Sequence, residues 1–316
     1  MIVAVTGAVG WIGREVCAWL RAQGADVRPL DRIWGIKGVS FLDLMADQDD
    51  LRWADALCGC SAVVHCAGHV HRLVENEEER RLFKAINVEG TRKLLAAARA
   101  AGIPRLVFVS TSALYDWSQQ KPMSEEEGLK STTAYAASKL EAEDLVRGSG
   151  LDWRIARLGT VFGVGDRANF SRLAQGLRTR RFVLPGEGAA RKSVLPIAKA
   201  GEILGRLAID EAAEQLMLNV AAPEAPSLAE ICRAFNIVCG FRAPPRIPMM
   251  IMKTMARVGD VAAAVKPGFP LTSSVLGKLA TSTVLDVSRM RKAFPEVTWE
   301  CFEESLRPAA AYYASI

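Results

Sequence analysis

Tyr135 and Lys139 are the two residues of this sequence whose types and spacing could carry chemistry. Because they are four residues apart, a helix would place both side chains on one face, with a phenol beside a cation. A phenol in that position can exchange a proton with a substrate hydroxyl. An amphipathic helix with a surface lysine is the alternative. A glycine-rich turn upstream supports the catalytic interpretation of the pair, because such a turn could bind a dinucleotide. A dinucleotide beside a proton donor predicts hydride chemistry on an alcohol or ketone.

The glycine-rich turn follows an apolar run at residues 2–6 and precedes a helical pattern at 12–22. Its spacing is TGxxGxxG, with glycines at Gly7, Gly10 and Gly13. Such a turn lets the backbone approach a pyrophosphate at the N-terminus of a helix. Asp31 ends the next strand and could accept hydrogen bonds from both ribose hydroxyls of NAD. Arg32 could instead bind the extra phosphate of NADP, so NAD is favoured and NADP stays open.

The elements around these residues predict a doubly wound parallel (Rossmann) sheet of the α/β class. Apolar strand-like runs alternate with helical patterns; the strands are predicted at 2–6, 25–30, 39–42, 62–66, 105–110 and 153–158, and the helices at 12–22, 77–101 and 133–146. Beyond residue 165, Pro and Gly become frequent and the elements shorten, which indicates a smaller, mostly helical C-terminal substrate domain. The predicted division is 1–164 plus about 194–218 for the dinucleotide-binding domain, and about 165–193 plus 219–316 for the other.

The composition restricts the classes of partner. The net charge of +5 is dispersed, without basic blocks interleaved with aromatics, which argues against nucleic acid. Seven scattered cysteines without zinc-site spacing are best explained as thiols of a cytoplasmic protein. Residues 247–265 are hydrophobic and Met-rich, but Lys253, Arg257 and Asp260 argue against a membrane span. That segment is interpreted as a packed helix or, alternatively, as a helix in contact with a membrane surface.

Several further segments complete a pattern that resembles the extended short-chain dehydrogenase/reductase superfamily, in particular its NAD-dependent nucleotide-sugar epimerases and ketoreductases of the UDP-glucose 4-epimerase type. These segments are His65-Cys66-Ala67-Gly68, Asn87-Val88-Glu89-Gly90-Thr91, Ser110-Thr111-Ser112-Ala113-Leu114-Tyr115, Arg157-Leu158-Gly159-Thr160-Val161-Phe162-Gly163 and Leu285-Asp286-Val287-Ser288-Arg289. The resemblance runs over nearly the whole chain.

The resemblance implies roles for individual residues. Thr111 would be the catalytic Ser/Thr beside Tyr135 and Lys139, with Ser112 as the alternative. Lys139 and the nicotinamide would depress the pKa of the Tyr135 phenol. Ser112, Asn169 and Arg191 would contact the substrate, Arg191 by pairing with phosphate oxygens. The implied cofactor contacts are Gly7, Gly10, Trp11, Ile12, Gly13, Asp31, Arg32, Asp43, Leu44, Cys66, Ala67, Gly68, Asn87, Tyr135 and Lys139. Asp43 could accept from the adenine amine, or it could be a helix N-cap.

Two further features narrow the chemistry. Dehydratases of this superfamily carry Asp-Glu directly after the catalytic Thr, whereas this chain has Ser112 and Ala113, which disfavours dehydration. The three histidines, His65, His69 and His71, lie within seven residues. The resemblance interprets them as a cofactor-flanking loop and not as a metal site; His69 or His71 could touch the sugar or the nicotinamide ribose.

The predicted activity is therefore NAD(P)-dependent oxidoreduction or isomerisation at C4 of a nucleotide-diphosphate sugar, with 4-epimerisation favoured. A 4-ketoreductase of a nucleotide-linked keto sugar is the main alternative. A reductase or dehydrogenase of another alcohol is a second, and a non-catalytic dinucleotide sensor is a third. The long helices at 77–101 and 133–147 resemble those that form four-helix interfaces in this superfamily, so a homodimer is the hypothesis for its assembly.

Overall fold

The fold is built on one parallel sheet, described by a computed structural model for residues 1–45, 52–70, 76–211, 215–265 and 271–316. The strands in these ranges are β1 (Ile2–Thr6), β2 (Asp26–Asp31), β3 (Ser40–Phe41), β4 (Ala62–His65), β5 (Arg105–Thr111), β6 (Asp152–Leu158), β7 (Thr160–Phe162), β8 (Leu184–Pro185), β9 (Val194–Pro196), β10 (Leu216–Val220) and β11 (Arg246–Ile247). Seven of them form the main sheet, in the order β10-β6-β5-β4-β1-β2-β3.

Helices cover both faces of this sheet and form most of the C-terminal region. They are α1 (Trp11–Ala22), α2 (Arg52–Leu57), α3 (Glu77–Leu82), α4 (Gly90–Ala100), α5 (Ala134–Arg147), α6 (Asn169–Arg178), α7 (Ile197–Ile209), α8 (Leu228–Cys239), α9 (Met249–Val265), α10 (Ser273–Ala280), α11 (Ser288–Ala293), α12 (Phe302–Leu306) and α13 (Ala310–Ser315). A π-helix at Phe83–Glu89 joins α3 to α4, and short 3₁₀ turns occupy Ser112–Leu114, Trp117–Gln119 and Arg307–Ala309. The predicted Rossmann sheet and helical C-terminal region are confirmed.

Alternation along the strands explains why the sheet is covered on both faces. In β1, Val3 and Val5 pack with α1 and α7 in one core, whereas Ala4 packs with α2 and α4 in a second core on the opposite face. A strand that is apolar at every position must be buried on both sides. A third core joins α6, α8, α12 and α13 in the C-terminal region. The proposed division into two domains stays a prediction, although β10 places residues 216–220 in the sheet.

All neighbouring strands of the main sheet are parallel, so their carboxyl ends meet at one edge. Thr6 and His65 end β1 and β4, which are adjacent at the point where the strand order reverses. Asp31 and Thr111 end β2 and β5 at the same edge. Ligands of doubly wound folds bind at this position, in the crevice beyond the strand ends. The fold therefore gathers the predicted cofactor and catalytic residues on one side of the molecule.

Candidate active site

Thr111 and Tyr135 meet at the carboxyl end of β5. Thr111 is the last residue of that strand, and Tyr135 is in the first turn of α5, which begins there because the Thr133 hydroxyl accepts from the Ala136 amide at 3.1 Å. The Thr111 side chain lies near enough to the Tyr135 phenol to favour its phenolate, which lowers the pKa of the phenol. Thr111 Oγ1 accepts from the Ala113 amide at 3.2 Å, which restricts its rotamer. The fold thus brings the two hydroxyls that the sequence paired for catalysis to the same place.

The environment of Tyr135 raises the pKa of its phenol instead of depressing it. Burial disfavours the phenolate, and the Thr111 side chain only partly opposes that effect. The ring of Phe83, on the π-helix, lies with its centroid 5.8 Å from that of Tyr135. The lower pKa expected from Lys139 and the nicotinamide together concerns the cofactor-bound enzyme and stays a prediction. Desolvation by the surrounding chain is the stronger influence.

Lys139 lies one turn along α5 and is buried, with 7 % of its surface exposed. Its ammonium sits 4.0 Å from the centroid of the Phe108 ring, a cation–π contact that holds the charge over an aromatic face. Burial lowers the pKa of Lys139 to about 8, and the carboxylate of Glu143 opposes part of that shift. Lys139 is therefore mainly protonated at neutral pH, but it is easily neutralised at alkaline pH.

Glu143 continues the same helix face and was not singled out from the sequence. Its carboxylate is fully buried and accepts from Arg157 at 2.7 and 3.0 Å and from the Ser110 hydroxyl at 2.5 Å. Arg157 also donates to the hydroxyl of Tyr115 at 3.0 Å. The spacing of four residues from Lys139 was the available signal, because it places the carboxylate one turn behind the lysine. This network connects the catalytic helix to β5 and β6.

The glycine-rich turn is shaped by two close approaches. Gly7 has φ +67°, and a Cβ there would lie 2.8 Å from the Cα and N atoms of Ala67. A Cβ on Gly13 would lie 2.1 Å from the Gly7 carbonyl oxygen. Gly10 is the N-cap of α1 and has no side chain to occupy the first amides of the helix. The turn therefore needs glycine, and it leaves helix amides available for an anion.

Asp31 is placed against this turn, as its predicted role requires. Its Oδ2 accepts from the Val9 amide at 3.0 Å and its Oδ1 from the Ile33 amide at 3.3 Å. These bonds orient the carboxylate at the end of β2 and leave lone pairs on both oxygens. Arg32 beside it is exposed. The carboxylate next to the glycine turn suits a ribose with two free hydroxyls.

The other N-terminal residues that were predicted to contact the cofactor make contacts with the protein itself. Asp43 accepts from the Met45 amide at 2.9 Å in a turn; residues 46–51 after it lie outside the described ranges, so its N-cap role stays a prediction. Leu44 packs on Gly90, where an added Cβ would lie 2.8 Å from the Leu44 Cβ. Trp11 donates to the Val164 carbonyl at 2.7 Å, and Ile12 packs partly buried on the core. Direct cofactor contacts by these residues stay predictions.

Asn87 positions the loop at residues 66–69 that faces the glycine turn. Its Oδ1 accepts from the His69 amide at 2.7 Å, and its Nδ2 donates to the His69 carbonyl and to Ser138, both at 3.0 Å. Asn87 lies in the π-helix, a feature that is frequent at functional sites. Its amide therefore ties the loop of Cys66, Ala67 and Gly68 to the catalytic helix. A direct bond to the cofactor stays a prediction.

The described histidines are engaged with protein groups. The Thr91 hydroxyl donates to the Asn87 carbonyl at 2.7 Å, so it must accept from Nε2 of His65, and Nδ1 then accepts from Thr6 at 2.7 Å. Burial, and secondarily the charge of Lys139, lower the pKa of His65 to about 3. His69 Nε2 is hydrogen-bonded to the carboxylate of Glu79 at 2.6 Å. His71 lies outside the described residues, and within them no group of His, Cys, Asp or Glu could hold a metal ion.

The predicted substrate residues lie in different segments of the structure. Ser112 follows Thr111 and is half-buried, and Asn169 is exposed at the start of α6. Arg191 is exposed, and its guanidinium donates to the Ala225 carbonyl at 2.8 Å. Arg191 lies three residues before Val194, which pairs with Thr160 beyond the end of β6. The structure thus brings Ser112 to the catalytic pair, while contacts of Asn169 and Arg191 with substrate stay predictions.

Comparison with known proteins agrees with this geometry. The family described as NAD dependent epimerase/dehydratase matches residues 3–194. The chain is 31 % identical over 191 residues to a ketoreductase of Stigmatella aurantiaca that acts on 4-hydroxy-2-methyl-3-oxo-4-farnesyl-3,4-dihydroquinoline-1-oxide, covering 56 % of this chain and 55 % of that protein. It is 30 % identical over 183 residues to UDP-glucose 4-epimerase 2 of Arabidopsis thaliana, covering 52 % of each. The chain thus spans about half the length of these relatives.

Two further comparisons extend over more of the chain. The chain is 25 % identical to the N-acetyl-alpha-D-glucosaminyl-diphospho-ditrans,octacis-undecaprenol 4-epimerase of Escherichia coli O157:H7, covering 64 % of this chain and 61 % of that protein. The structure of MoeE5 in complex with UDP-glucose and NAD has a TM-score of 0.75 and 23 % identity, covering 99 % of this chain and 98 % of the other. The latter likeness shows that the fold is shared over the whole chain.

Proposed function

Because this chain belongs to the NAD-dependent epimerase/dehydratase family, we propose that it is an enzyme that oxidises and reduces C4 of a sugar carried on a diphosphate. The observation that carries the proposal is the position of the Tyr135 phenol beside the Thr111 side chain at the carboxyl end of β5. It places a proton-transferring phenol and a second hydroxyl where a carbinol oxygen could bind both.

The residues present fit a bound NAD. The amides at the start of α1 and the carboxylate of Asp31 would hold its pyrophosphate and its adenosine ribose, and Lys139 would hold the nicotinamide ribose. When bound, NAD supplies the acceptor and donor of hydride. The carboxylate of Asp31 would repel the additional phosphate of NADP, so NAD is the proposed cofactor.

The proton follows a separate route through the chain's own residues. Tyr135 takes the proton from the C4 hydroxyl as the C4 hydrogen leaves as hydride and the C4–O bond becomes a carbonyl. Thr111 holds the oxygen by a hydrogen bond in both oxidation states. Because burial raises the pKa of Tyr135, the cationic Lys139 behind it must stabilise the phenolate in the reacting complex. Reversing these steps on the other face of the sugar gives the C4 epimer.

We favour 4-epimerisation over single reduction because Asp31 favours NAD, which an epimerase keeps bound and regenerates within each turnover. One feature argues against dehydration within this family. Ser112 and Ala113 stand where the dehydratases' acid and base are expected. A 4-ketoreductase is the second candidate, supported by the ketoreductase relative. The same three residues would serve it.

Two of the relatives leave open what carries the sugar or ketone, because one acts on a farnesyl-bearing ring and another on a sugar attached to undecaprenol through a diphosphate. A diphosphate at Arg191 is compatible with either a nucleoside or a polyprenol beyond it. We therefore propose a diphosphate-linked sugar as the substrate class, with a nucleotide as the first carrier to test and a polyprenol as the second.

Assembly and location are proposed on narrower grounds. A homodimer through helices α3–α5 is proposed from the family resemblance alone. A cytoplasmic location is supported by the seven cysteines, all of which are thiols.

The proposed function is tested by denaturing the purified protein and measuring released cofactor. About one equivalent of NAD per chain, together with conversion of UDP-glucose or UDP-N-acetylglucosamine to the C4 epimer, is expected for an epimerase. A site that binds NADPH transiently and reduces a 4-keto sugar once would instead favour the ketoreductase. If the protein bound neither cofactor, the proposed function would be wrong.

A further inference from the structure

One face of α9 exposes a concentration of large apolar side chains. We define the apolar face of α9 as Met250, Ile251, Met255, Val258 and Val261, whose exposed fractions range from 43 to 83 %. These residues recur at intervals of one to four along the helix, so they share a broad surface. Contiguous exposed apolar patches on a protein mark sites of interaction with another protein or a membrane.

The opposite side of α9 accounts for the packing of this helix. Met252 and Ala256 are buried in a small core with Leu276 of α10. Asp260 accepts from the backbone amide of Ser273 at 2.9 Å and from its hydroxyl at 2.6 Å, which fixes α9 against the start of α10. The inner side is therefore anchored to the protein without any contribution from the apolar face.

Most of the charged side chains around the apolar face are basic. Residues 241–259 contain four basic and no acidic side chains, namely Arg242, Arg246, Lys253 and Arg257. Lys253 and Arg257 are exposed on α9 itself, and Arg246 pairs with Glu187. The carboxylate of Asp260 is held by Ser273. Apolar side chains flanked by exposed cations match the surface of a bilayer that contains anionic lipids.

The apolar face of α9 is connected to the predicted diphosphate residue. β8 pairs with β11, and β11 leads directly into α9. Arg191 follows six residues after the end of β8. The Arg191 carbonyl accepts from the Thr283 amide at 2.8 Å, just beyond α10. A cavity of about 220 Å³ lies between these parts, lined by residues that include Leu228, Met249 and Leu279. An apolar chain attached to a diphosphate at Arg191 would therefore enter apolar surroundings near α9.

We propose that the apolar face of α9 docks the enzyme on the surface of an anionic lipid bilayer, where the substrate is a sugar carried on a polyprenyl diphosphate. The inference rests on the proposed function for its substrate, since it requires a diphosphate-linked sugar. Docking of this kind buries one helix face in the interface and requires no span. Within the described residues, none of the helices is long and apolar enough to cross a membrane.

The test is flotation of the full-length protein with vesicles of phosphatidylcholine, with and without about a third of phosphatidylglycerol, at low and high salt. Wild-type protein should float with the anionic vesicles and bind at least ~10-fold less to neutral ones or in high salt. The double variant Val258→Asp/Val261→Asp should lose at least ~10-fold of the binding. Ile237→Asp, an exposed apolar residue on α8, is the matched control and should bind as wild type.

Two enzymatic readouts connect the surface to the substrate. The double variant should turn over a UDP-sugar at the wild-type rate, whereas its turnover of vesicle-embedded undecaprenyl diphosphate N-acetylglucosamine should fall at least ~10-fold. Equal loss on both substrates would overturn the proposal, because the substitutions would then act on the fold. Wild-type flotation without turnover of either sugar would contradict the proposed function and leave the docking surface intact.

The remaining outcomes decide against docking. Wild-type protein that stays with the soluble fraction, or a double variant that floats as well as the wild type, would overturn it. The alternative occupant of the apolar face of α9 is a second copy of this chain. If light scattering showed a wild-type dimer that the double variant dissociates, with no vesicle binding by either, the face would be a self-association surface and the membrane proposal would be wrong.

Discussion

Glu143 and Arg157 form a buried two-point ion pair, with distances of 2.7 and 3.0 Å, one helical turn behind Lys139. Both side chains are at most 1 % exposed. The carboxylate is charged in a dry environment, so it acts on Lys139 with little screening by solvent. Burial lowers the pKa of Lys139, and Glu143 limits that shift. Glu143 therefore helps to keep Lys139 protonated at neutral pH.

Glu143→Gln is expected to lower the pKa of Lys139 from about 8, by about one pH unit, because the opposing carboxylate is lost. A reaction that needs protonated Lys139 loses rate as pH rises through this pKa, so the alkaline limb of the kcat profile should move to lower pH. The variant should also be less stable by about 3–5 kcal/mol, because Arg157 remains buried without its partner.

Glu141→Gln, an exposed position on the same helix, is the control for the loss of one negative charge. Its pH profile and unfolding temperature should match the wild type. If the profile of Glu143→Gln superimposed on that of the wild type, while thermal unfolding showed the expected destabilisation, Glu143 would be structural only.

His65 should make the folded protein sensitive to acid. Its pKa falls from 6.5 in the unfolded chain to about 3 in the folded protein. As pH falls, the unfolded state therefore binds a proton before the folded state does. The contribution of His65 to the free energy of unfolding is complete above pH 6.5 and is lost as pH falls toward 3. Between pH 7 and pH 5 the free energy of unfolding should drop by about 2 kcal/mol from this residue. His65→Gln should remove most of that slope in urea titrations. An unchanged slope would show that His65 does not titrate on unfolding.

Gly7 and Gly102 offer a matched pair for the glycine turn. Their φ angles are +67° and +66°, but only at Gly7 would an added Cβ meet other atoms within 4 Å. Gly102→Ala should therefore cost about 1–2 kcal/mol from the backbone alone. Gly7→Ala should lower the free energy of unfolding by about 2–3 kcal/mol more than Gly102→Ala, because the residues around Ala67 must move. It should also weaken NAD binding. Equal losses in chemical denaturation would mean that the turn relaxes freely.

Asp31 should decide between the two nicotinamide cofactors. Asp31→Asn keeps one acceptor oxygen for the turn but removes the charge, so the Kd for NAD should rise about 10- to 100-fold. Binding of NADP should weaken less, or improve, because the repulsion of its phosphate is gone. Calorimetry with both cofactors measures this, and Asp26→Asn at the exposed start of β2 is the control. Proportional losses for NAD and NADP would contradict the proposed role.

The first six strands of the chain were predictable because they depend on local pattern, whereas the place of Thr111 beside Tyr135 came from the family resemblance. A continuous apolar run specified β1, and the distance between the Tyr and Lys positions specified a helix face. The glycine turn was equally predictable. The close approach of Gly7 to Ala67 was not, because it joins segments sixty residues apart. Asp31 was placed correctly by the same logic, as the carboxylate at the end of the second strand.

The rest depends on tertiary packing. Burial raises the pKa of Tyr135, and the sequence shows the neighbouring lysine but not this burial. The π-helix at Phe83–Glu89, which places Asn87 against His69 and Ser138, has no periodicity signal of its own. For α9 the sequence left two interpretations open; its packed inner side and its exposed apolar face became separable only with the fold.

The most direct test of the central claim is a proton NMR time course of UDP-glucose and UDP-N-acetylglucosamine with NAD, using wild-type protein and Tyr135→Phe. The wild type is expected to produce the C4 epimer of at least one of them. Tyr135→Phe keeps the ring packed on Phe83 but removes the proton carrier, so its rate should fall by about 10²–10⁴-fold. Full activity in Tyr135→Phe, with both proteins folded and NAD-bound, would contradict proton transfer by Tyr135 and with it the proposed chemistry at C4.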